Sequence, residues 1–199
     1  MSNYNYDKIV AGFDRDQVIE LMKNTLSDFR FNHCLRVEKQ AIALAEKYDV
    51  DPARVGLAGL LHDFAKERSD QEFINVIKEK NLDPDLLNYG NAIWHGEVGA
   101  EIIKDELKIQ DEDVLNAIRR HTVGSMRMND IDKCVFIADY IEPGRDFPGV
   151  EEAREQADIS LYAGMIAELT NTINHLVDRK QVIHPQTFET YNYWIKKGA

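Results

Sequence analysis

The sequence is poor in positive charge. Its 24 Lys and Arg residues stand against 35 Asp and Glu residues, which gives a formal net charge of −11. Non-specific binding to DNA or RNA depends on many Lys and Arg contacts to phosphates, so the composition argues against a nucleic-acid polymer as partner. If the ligand is an anion, the attraction has to come from a metal ion or from a few placed basic side chains.

Cysteines and long apolar runs are also scarce. Cys34 and Cys134 lie far apart, form no CxxC pair and stand in apolar patterns. This predicts buried free thiols in a reducing compartment rather than a disulfide. No uncharged apolar run approaches the roughly 20 residues that a membrane helix needs, and no N-terminal stretch resembles a signal peptide. We therefore expect a cytoplasmic protein without a membrane partner.

Signals for β-structure are missing, whereas helix signals are frequent. We find no convincing alternation of apolar and polar residues and no Asn-Gly or Asp-Gly hairpin turn. The helix-start signals are, in chain order, Asp51–Pro52, the Ser69/Glu72 capping box, Asp83–Pro84, Asp111 and Asp130. The longest helical pattern joins Ile166, Leu169, Ile173, Leu176 and Val177. A final helical segment follows Pro185. The sequence predicts an all-α protein.

The chain reads as one domain. Its 199 residues are 44% hydrophobic, which is enough for one core, and no linker or internal repeat marks a boundary. We expect residues 1–16 to be a loosely held N-terminus and residues 17–199 to form the domain. Trp94 and Trp194 suit the core better than an interface, although the sequence also permits a homodimer.

Three ionisable residues stand on predicted apolar helix faces. His33 lies one turn before Val37, Asp139 lies one turn after Val135, and His121 follows an apolar pair at the same spacing. Residues three or four apart share a helix face, so all three are predicted to be at least partly buried. An ionised Asp is costly to bury unless it is paired or bound to a metal. Taken singly, such a His is more often a core histidine with its hydrogen bonds satisfied, and such an Asp is more often a salt-bridge partner.

The significance lies in the whole set. The stretch GLLHDFAK begins apolar and ends on His62, Asp63 and Lys66, and the ordered set is His33, His62–Asp63, His95, His121 and Asp139. Imidazole and carboxylate together suit Fe, Mn or Zn, whereas a Mg or Ca site would be mainly oxygen. Only a folded helical bundle would bring these residues together. Lys66 alone would be a solvated helix-end charge, but beside a metal it could hold a phosphate.

This ordered set resembles the HD superfamily of metal-dependent phosphohydrolases. The segments around it are similar to the YqeK family of symmetrical bis(5′-nucleosyl)-tetraphosphatases: LLHDFAK, the WHG at His95, the HT at His121–Thr122, IADYIEPGRDFPGV and HPQT. The similarity runs from about residue 17 to 197. It implies a helical bundle of the HD type over residues 17–199 and an enzyme that cleaves diadenosine tetraphosphate into two ADP molecules.

The resemblance also implies roles for individual residues. A single iron would be held by His33, His62, Asp63 and Asp139, although Mn or Zn also accept these ligands. The residues that would act in catalysis are Asp63, Lys66, His95 and His121. Those that would contact the dinucleoside polyphosphate or its ADP or GDP product are Asp63, Phe64, Ala65, Lys66, His95, His121, Thr122, Asp139, Arg145 and the segment Val182, Ile183, His184, Pro185, Gln186 and Thr187.

Less specific interpretations of these segments stay open. Arg145 alone would be a solvated loop charge, and HPQT alone would be a helix start. His175 has no matching role and is interpreted as a structural or surface histidine.

A chemical hypothesis follows from the implied metal. An ion with open positions lowers the pKa of a bound water and neutralises phosphate oxygens. Hydroxide formed in this way would attack an inner phosphorus, and ADP would leave with its charge stabilised by His95, His121, Lys66 and Arg145. If HPQT and Arg145 grip one nucleoside and its first two phosphates, the metal meets the central bridge.

Two rivals remain. The same ligands could hold two metals, with Asp63 bridging and His95 and His121 on the second ion, which would suit nucleoside monophosphates or cyclic dinucleotides. The second rival is a module that binds a nucleotide without catalysis. Such a module would usually have lost one of the metal-binding residues, and none is missing here. A purely structural helical protein would leave the ordered set unexplained.

Overall fold

The computed structural model describes residues 4–10 and 12–198. Within this part of the chain the protein is built from helices, and no strand occurs. The ten α-helices are α1 Arg15–Thr25, α2 Asp28–Lys47, α3 Pro52–Leu61, α4 Asp70–Glu79, α5 Asn91–Leu107, α6 Glu112–Arg120, α7 Asp130–Ile141, α8 Val150–Ile159, α9 Leu161–Asp178 and α10 Pro185–Gly198. The all-α prediction is confirmed.

Most of the predicted helix starts are capped as the sequence indicates. The Asp51 carboxylate accepts hydrogen bonds from the amides of Ala53 and Arg54 at the start of α3. Ser69 and Glu72 form the predicted capping box of α4.

Two helix starts differ from the prediction. Asp83 and Pro84 open only the short 3-10 turn Pro84–Asn88. The cap of α7 is Asn129 and not Asp130, because the Asn129 side chain accepts from the Asp132 amide at 3.0 Å. The Asp132 carboxylate accepts from the Asn129 amide at 2.9 Å in return, which closes a capping box.

The centre of the fold is α3, which packs against α2, α6 and α7. Its residues from Val55 to Leu61 are all buried. Gly59 allows α2 to come close, since a Cβ at this position would lie 3.0 Å from the Ala41 Cβ. This close packing places the carboxyl end of α3 beside α2, where His33 lies one turn before Val37.

A second close approach positions α5. A Cβ at Gly96 would lie 2.9 Å from Thr122 Oγ1 and 3.3 Å from the Arg119 carbonyl oxygen. Helix α5 therefore packs directly on the carboxyl end of α6. The neighbouring residue His95 is brought to His121 by this contact.

The N-terminal residues differ from the expectation of a loose segment. Tyr6 and Val10 are fully buried, and α1 already begins at Arg15. The Tyr6 hydroxyl donates a 2.6 Å hydrogen bond to Glu38 on α2, which fixes this stretch to the core. Residues 1–3 and 11 lie outside the described residues, and the division of the chain at residue 17 stays a prediction.

Several core assignments are confirmed. Cys34 and Cys134 are buried and unpaired. Trp94 and Trp194 are 4% and 5% exposed, so both belong to the core. Among residues 4–10 and 12–198, no helix has the length and apolar character to cross a membrane.

The long apolar pattern of α9 is buried only in its first half. Leu169 is 1% exposed, whereas Val177 is 57% exposed. The reason is that α7, α8 and α10 cover the start of α9, while its last turns run past them. Helical spacing predicted the helix correctly but overestimated how much of its apolar face other elements cover.

Candidate active site

Four predicted metal ligands meet at one point in the interior. His33 lies on α2, His62 caps the carboxyl end of α3, Asp63 follows in the turn, and Asp139 lies on α7. His33 Nε2 is 3.0 Å from Asp139 Oδ1 and 3.8 Å from Asp63 Oδ2. His62 Nε2 is 3.3 Å from Asp63 Oδ2 and 3.7 Å from Asp139 Oδ1. The fold thus brings together side chains that are far apart in sequence.

The two imidazoles present the same nitrogen to this point. His33 Nδ1 lies 3.0 Å from Glu142 Oε1, and His62 Nδ1 lies 2.8 Å from the Gly59 carbonyl oxygen. Each Nδ1–H donates to its acceptor, which leaves the lone pair of Nε2 free. Both Nε2 atoms are buried and make no well-aligned hydrogen bond. Buried polar atoms are rarely left without a partner, so these two call for a ligand.

A divalent ion suits this donor set. Ligand atoms about 2.0 to 2.2 Å from one ion lie roughly 3 to 3.5 Å apart. The distances between the imidazole and carboxylate atoms are of this size, and the group His33, His62 and Asp139 places one ligand atom of each residue within 4.8 Å of the others. Two imidazoles with two carboxylates suit Fe, Mn or Zn, as the sequence indicated.

Electrostatics keep the two carboxylates ionised. Burial raises the pKa of Asp63, but His62, His95 and Lys66 outweigh it and hold the pKa well below its usual range. The pKa of Asp139 is also well below its usual range, because His62, His33 and Arg145 outweigh burial. Both side chains therefore stay anionic at neutral pH, which is the form that binds a cation.

Beside this centre lies a cluster of nitrogen and hydroxyl groups. His95 Nε2 is 3.0 Å from His121 Nε2 and 3.5 Å from Asp63 Oδ1. Lys66 Nζ lies 3.1 Å from His95 Nε2, and Thr122 Oγ1 lies 3.2 Å from the same atom. The predicted phosphate-contacting residues are therefore neighbours of one another and of the metal ligands.

Burial sets the protonation state of this cluster. It lowers the pKa of His95 well below the usual histidine range, and Lys66 and His121 add to the effect. Burial likewise lowers the pKa of His121 to about 4. The pKa of Lys66 is lowered by burial too. The Nδ1–H of His95 donates to the Asn91 carbonyl oxygen and that of His121 to the Ile118 carbonyl oxygen, both at 2.7 Å. Each neutral ring therefore presents an Nε2 lone pair to the site, where it can accept a proton.

Arg145 and the HPQT segment take different places. Arg145 Nη2 donates a 2.5 Å hydrogen bond to Asp139 Oδ1 at the metal ligands. His184, Pro185 and Gln186 line a cavity of about 240 Å³ with Val123, the neighbour of Thr122. Gln186 Nε2 also donates a 2.6 Å hydrogen bond to the Gly124 carbonyl oxygen. The segment thus meets the loop that carries Thr122 but has no contact with the four ligands.

The remaining predicted contact residues divide into buried and exposed ones. The side chains of Phe64 and Ala65 are 1% and 0% exposed and belong to the core, so only their backbone is available to a substrate. Thr187 is 4% exposed, whereas Val182 is 80% exposed. Ile183 is half-buried at the start of the segment.

Sequence reasoning missed three charged residues of the site. Arg30 Nη1 donates a 2.6 Å hydrogen bond to Asp63 Oδ2. Glu142 binds His33 as described and also accepts from Arg36 Nε at 2.6 Å. A signal existed, because Arg30 lies three residues before His33 and Glu142 three residues after Asp139, on the same helix faces.

Comparisons with known proteins identify the family of this chain. The HD domain family matches residues 30–144, a span that contains all four converging ligands. The symmetrical bis(5′-nucleosyl)-tetraphosphatase of Halalkalibacterium halodurans is 42% identical over 179 residues, covering 90% of this chain and 96% of that protein. The Bacillus subtilis protein of the same name is 37% identical over 186 residues, covering 94% of this chain and 100% of that protein. This chain belongs to the same HD-domain family.

A solved structure supports the fold of this HD-domain protein independently. It is a predicted HD superfamily hydrolase involved in NAD metabolism from Clostridium acetobutylicum, with 35% sequence identity and a TM-score of 0.88. The match covers 93% of this chain and 98% of that chain. The family predicted from the sequence motifs is therefore confirmed, and membership of the HD-domain family implies a divalent metal.

Proposed function

We propose that this protein hydrolyses dinucleoside tetraphosphates symmetrically and converts diadenosine tetraphosphate into two ADP molecules. The observation that carries the proposal is the pair of buried, unpartnered Nε2 atoms of His33 and His62, which converge with Asp63 and Asp139. The names of the relatives from Halalkalibacterium halodurans and Bacillus subtilis support the reaction. The two unpaired buried thiols support a reducing compartment such as the cytoplasm.

The four converging side chains would hold one divalent ion, and we favour iron. When bound, such an ion supplies charge neutralisation at the phosphate and activation of water. The residues around it fix the ligands: Glu142 and the Gly59 carbonyl oxygen orient the two imidazoles so that both Nε2 atoms face the same point. Because these acceptors hold the Nδ1 protons, the rings cannot turn their other nitrogen to the ion.

The neighbouring polar cluster would bind the phosphates. Lys66 and Thr122 can donate to phosphate oxygens, and they already lie within hydrogen-bonding distance of His95. His95 and His121 are neutral, so the Nε2 atom of one of them can accept the proton that the attacking water loses and, as the imidazolium, pass it to the departing diphosphate. Charge that develops on the leaving ADP is stabilised by donors fixed in a buried site, where such contacts are stronger than in water.

Symmetrical cleavage requires that the site hold the substrate with its central phosphate bridge at the metal ligands. The cavity lined by His184, Pro185 and Gln186 would hold one nucleoside, next to the loop that carries Thr122. Arg145 at Asp139 would contact the phosphates beyond the central bridge. A nucleoside held in this cavity would place its first two phosphates at His95 and His121, so the central bridge meets the metal ligands.

The products distinguish this proposal from other cleavages. Diadenosine tetraphosphate should give ADP as the only nucleotide product, and AMP plus ATP would refute symmetrical cleavage. The reaction should stop when the metal is removed with a chelator and resume when Fe²⁺ is restored under anaerobic conditions. Purified Asp63→Asn protein serves as the control for contaminating phosphatases, because it should be inactive with every metal.

One observation keeps a second function under consideration. His62, Asp63 and His121 also place ligand atoms within 4.8 Å of one another, so a second ion could bind between Asp63 and His121. Two ions about 3.5 to 4 Å apart would suit hydrolysis of nucleoside monophosphates or cyclic dinucleotides. Turnover of these substrates but not of diadenosine tetraphosphate would favour this function.

A further inference from the structure

A second cavity lies next to Arg145 and has no role in the reaction as described so far. Its volume is about 620 Å³, and it shares no lining residue with the cavity at HPQT. Its walls are Tyr140, Phe147, Pro148, Asn171, Thr172, Asn174, His175, Leu176, Asp178 and Arg179. Cavities of this size are typical of small-molecule sites.

The cavity lies close to the metal ligands along the chain. Tyr140 follows Asp139 on α7, so its side chain leaves the helix about 100° from the Asp139 carboxylate. Phe147 follows two residues after Arg145, which keeps their Cα atoms within about 7 Å. Two residues of the cavity wall are therefore within two positions of Asp139 and Arg145.

The polar residues of the site form a chain of close contacts that runs from near the HPQT cavity toward the second cavity. At one end His121 follows α6 and is two residues from Val123, which lines the HPQT cavity. His121 is 3.0 Å from His95, His95 is 3.5 Å from Asp63, and Asp63 is 3.3 Å from His62.

The other end of the path points toward the second cavity. His62 is 3.7 Å from Asp139, which lies 2.5 Å from Arg145, two residues before Phe147 in the cavity wall. A polyphosphate that follows this line of residues would have the metal ligands near its middle and a cavity near each end.

The lining suits a nucleoside. The Tyr140 and Phe147 rings lie 4.9 Å apart in a T-shaped arrangement, and a base can stack on such aromatic faces. Asn171, Thr172 and His175 add hydrogen-bonding groups for base edges or ribose hydroxyls. Leu176 supplies apolar surface from the half of α9 that the fold leaves partly uncovered.

We infer that this cavity, between α9 and the loop after Arg145, binds the second nucleoside of the dinucleotide. The inference rests on the proposed function, since it assigns the other end of the same substrate. Two nucleoside cavities flanking one metal centre would explain why cleavage falls at the central bridge, because each half of the substrate is held separately.

The test compares a dinucleotide with a ligand that has one nucleoside. The probes are diadenosine tetraphosphate with a non-hydrolysable central methylene bridge, and ADP, with binding measured by calorimetry on metal-loaded protein. Phe147→Ala and His175→Ala should weaken binding of the dinucleotide analogue by about 10-fold, the size expected for one lost stacking or polar contact. Binding of ADP should change less than 2-fold, because ADP occupies the HPQT cavity.

Matched controls separate this effect from general damage. Phe188→Ala removes an aromatic ring that is 42% exposed and belongs to neither cavity, and it should affect neither probe. Gln186→Ala should weaken both probes. An equal loss for both probes in Phe147→Ala, or no loss for either, would overturn the inference.

Turnover keeps the two proposals distinguishable. Wild-type protein that gives AMP plus ATP, or no product, refutes the symmetrical reaction, while the calorimetric comparison still tests the second cavity. Wild-type protein that gives ADP, with Phe147→Ala raising KM for diadenosine tetraphosphate about 10-fold at unchanged kcat, supports both proposals. An unchanged KM in both variants would refute the second cavity alone.

Discussion

Two buried polar clusters in this protein differ in how well their atoms are partnered. In the first, Glu38 is 3% exposed and accepts from the Tyr6 hydroxyl at 2.6 Å and from Arg15 Nε and Nη2 at 2.9 and 2.6 Å. In the second, His33 and His62 are just as deeply buried, but the Nε2 atom of each makes no well-aligned hydrogen bond. The two clusters are buried to a similar degree, but only the second contains nitrogen atoms without a hydrogen-bond partner.

This difference separates a structural cluster from a binding site. A buried group with all its partners in place stabilises the fold and has no capacity left for a ligand. A buried nitrogen without a partner costs free energy, and a fold retains it where something else completes its bonding. The Glu38 cluster therefore anchors the N-terminal residues, whereas the histidine cluster points to a metal.

The largest effect is expected from removing a converging ligand. His62→Ala and the more conservative Asp63→Asn should each abolish metal binding and lower turnover of diadenosine tetraphosphate by more than about 1000-fold. Metal content per chain and product formation measure both. The matched control in the other cluster is Glu38→Gln, which should keep metal and turnover while losing about 1 to 3 kcal/mol of stability. Retained turnover in His62→Ala with the metal still bound would contradict the assignment.

A smaller effect is expected from Glu142, which meets the metal ligands through His33 Nδ1, on the side of the ring away from the metal. Glu142→Gln should weaken metal affinity about 10- to 100-fold, because the His33 ring loses the anionic acceptor that orients it. Competition with a chelator gives the affinity, and unfolding by urea shows whether stability has changed. If stability falls while metal affinity is unchanged, Glu142 belongs with Glu38 as a purely structural carboxylate.

Replacing Arg145 should weaken binding of the dinucleotide without loss of metal. Arg145→Ala should weaken binding of the non-hydrolysable diadenosine tetraphosphate analogue by about 10-fold, the size of one lost charge-assisted hydrogen bond, with metal content intact. Arg145→Lys should recover part of the loss, because it restores the charge without the paired donors. Loss of metal in Arg145→Ala would show that this side chain positions Asp139 instead.

The smallest effect concerns Glu168 on α9. Burial and the nearby Asp139 raise its pKa well above the usual range, and its Oε2 atom is buried without a partner. The unfolded carboxyl loses its proton near pH 4.3, while the folded one keeps it to higher pH. Stability contributed by the protonated form is thus complete below about pH 4.3 and declines as pH rises, by at most about 1.4 kcal/mol per pH unit.

Glu168→Gln removes this titration. The variant should therefore be more stable than the wild type at pH 8 and nearly equal to it at pH 4, as measured by urea unfolding of the metal-free protein. A stability difference that does not vary with pH would show that Glu168 ionises normally in the folded state.

The fold was predictable wherever local chemistry decides it. The Asp51–Pro52 start of α3 and the Ser69 capping box of α4 depend on side chains next to the helix end, and both were predicted correctly. The burial of Tyr6 and Val10 was not predicted, since the hydrogen bond from Tyr6 to Glu38 joins residues that are distant in sequence. The uncovered end of α9 was missed for the same reason, because helical spacing does not show which elements pack against a helix.

The site was predictable from residue types but not from their partners. His33 and Asp139 stood out as ionisable residues on apolar helix faces, His62 and Asp63 as charges that end an apolar run, and the resemblance to the HD superfamily implied the ligand set. Arg30 and Glu142 did not stand out, as charged residues near helix ends are usually solvated. Only the structure shows that Glu142 accepts from His33 and that Arg30 pairs with Asp63.

The most direct test of the central claim is a titration of metal-free protein with Fe²⁺ under anaerobic conditions, with bound metal and ADP formation followed together. The account predicts that turnover of diadenosine tetraphosphate rises in proportion to bound iron and reaches its maximum at about one ion per chain. Full activity without metal would contradict the account. A maximum reached only at two ions per chain would contradict the single-metal centre.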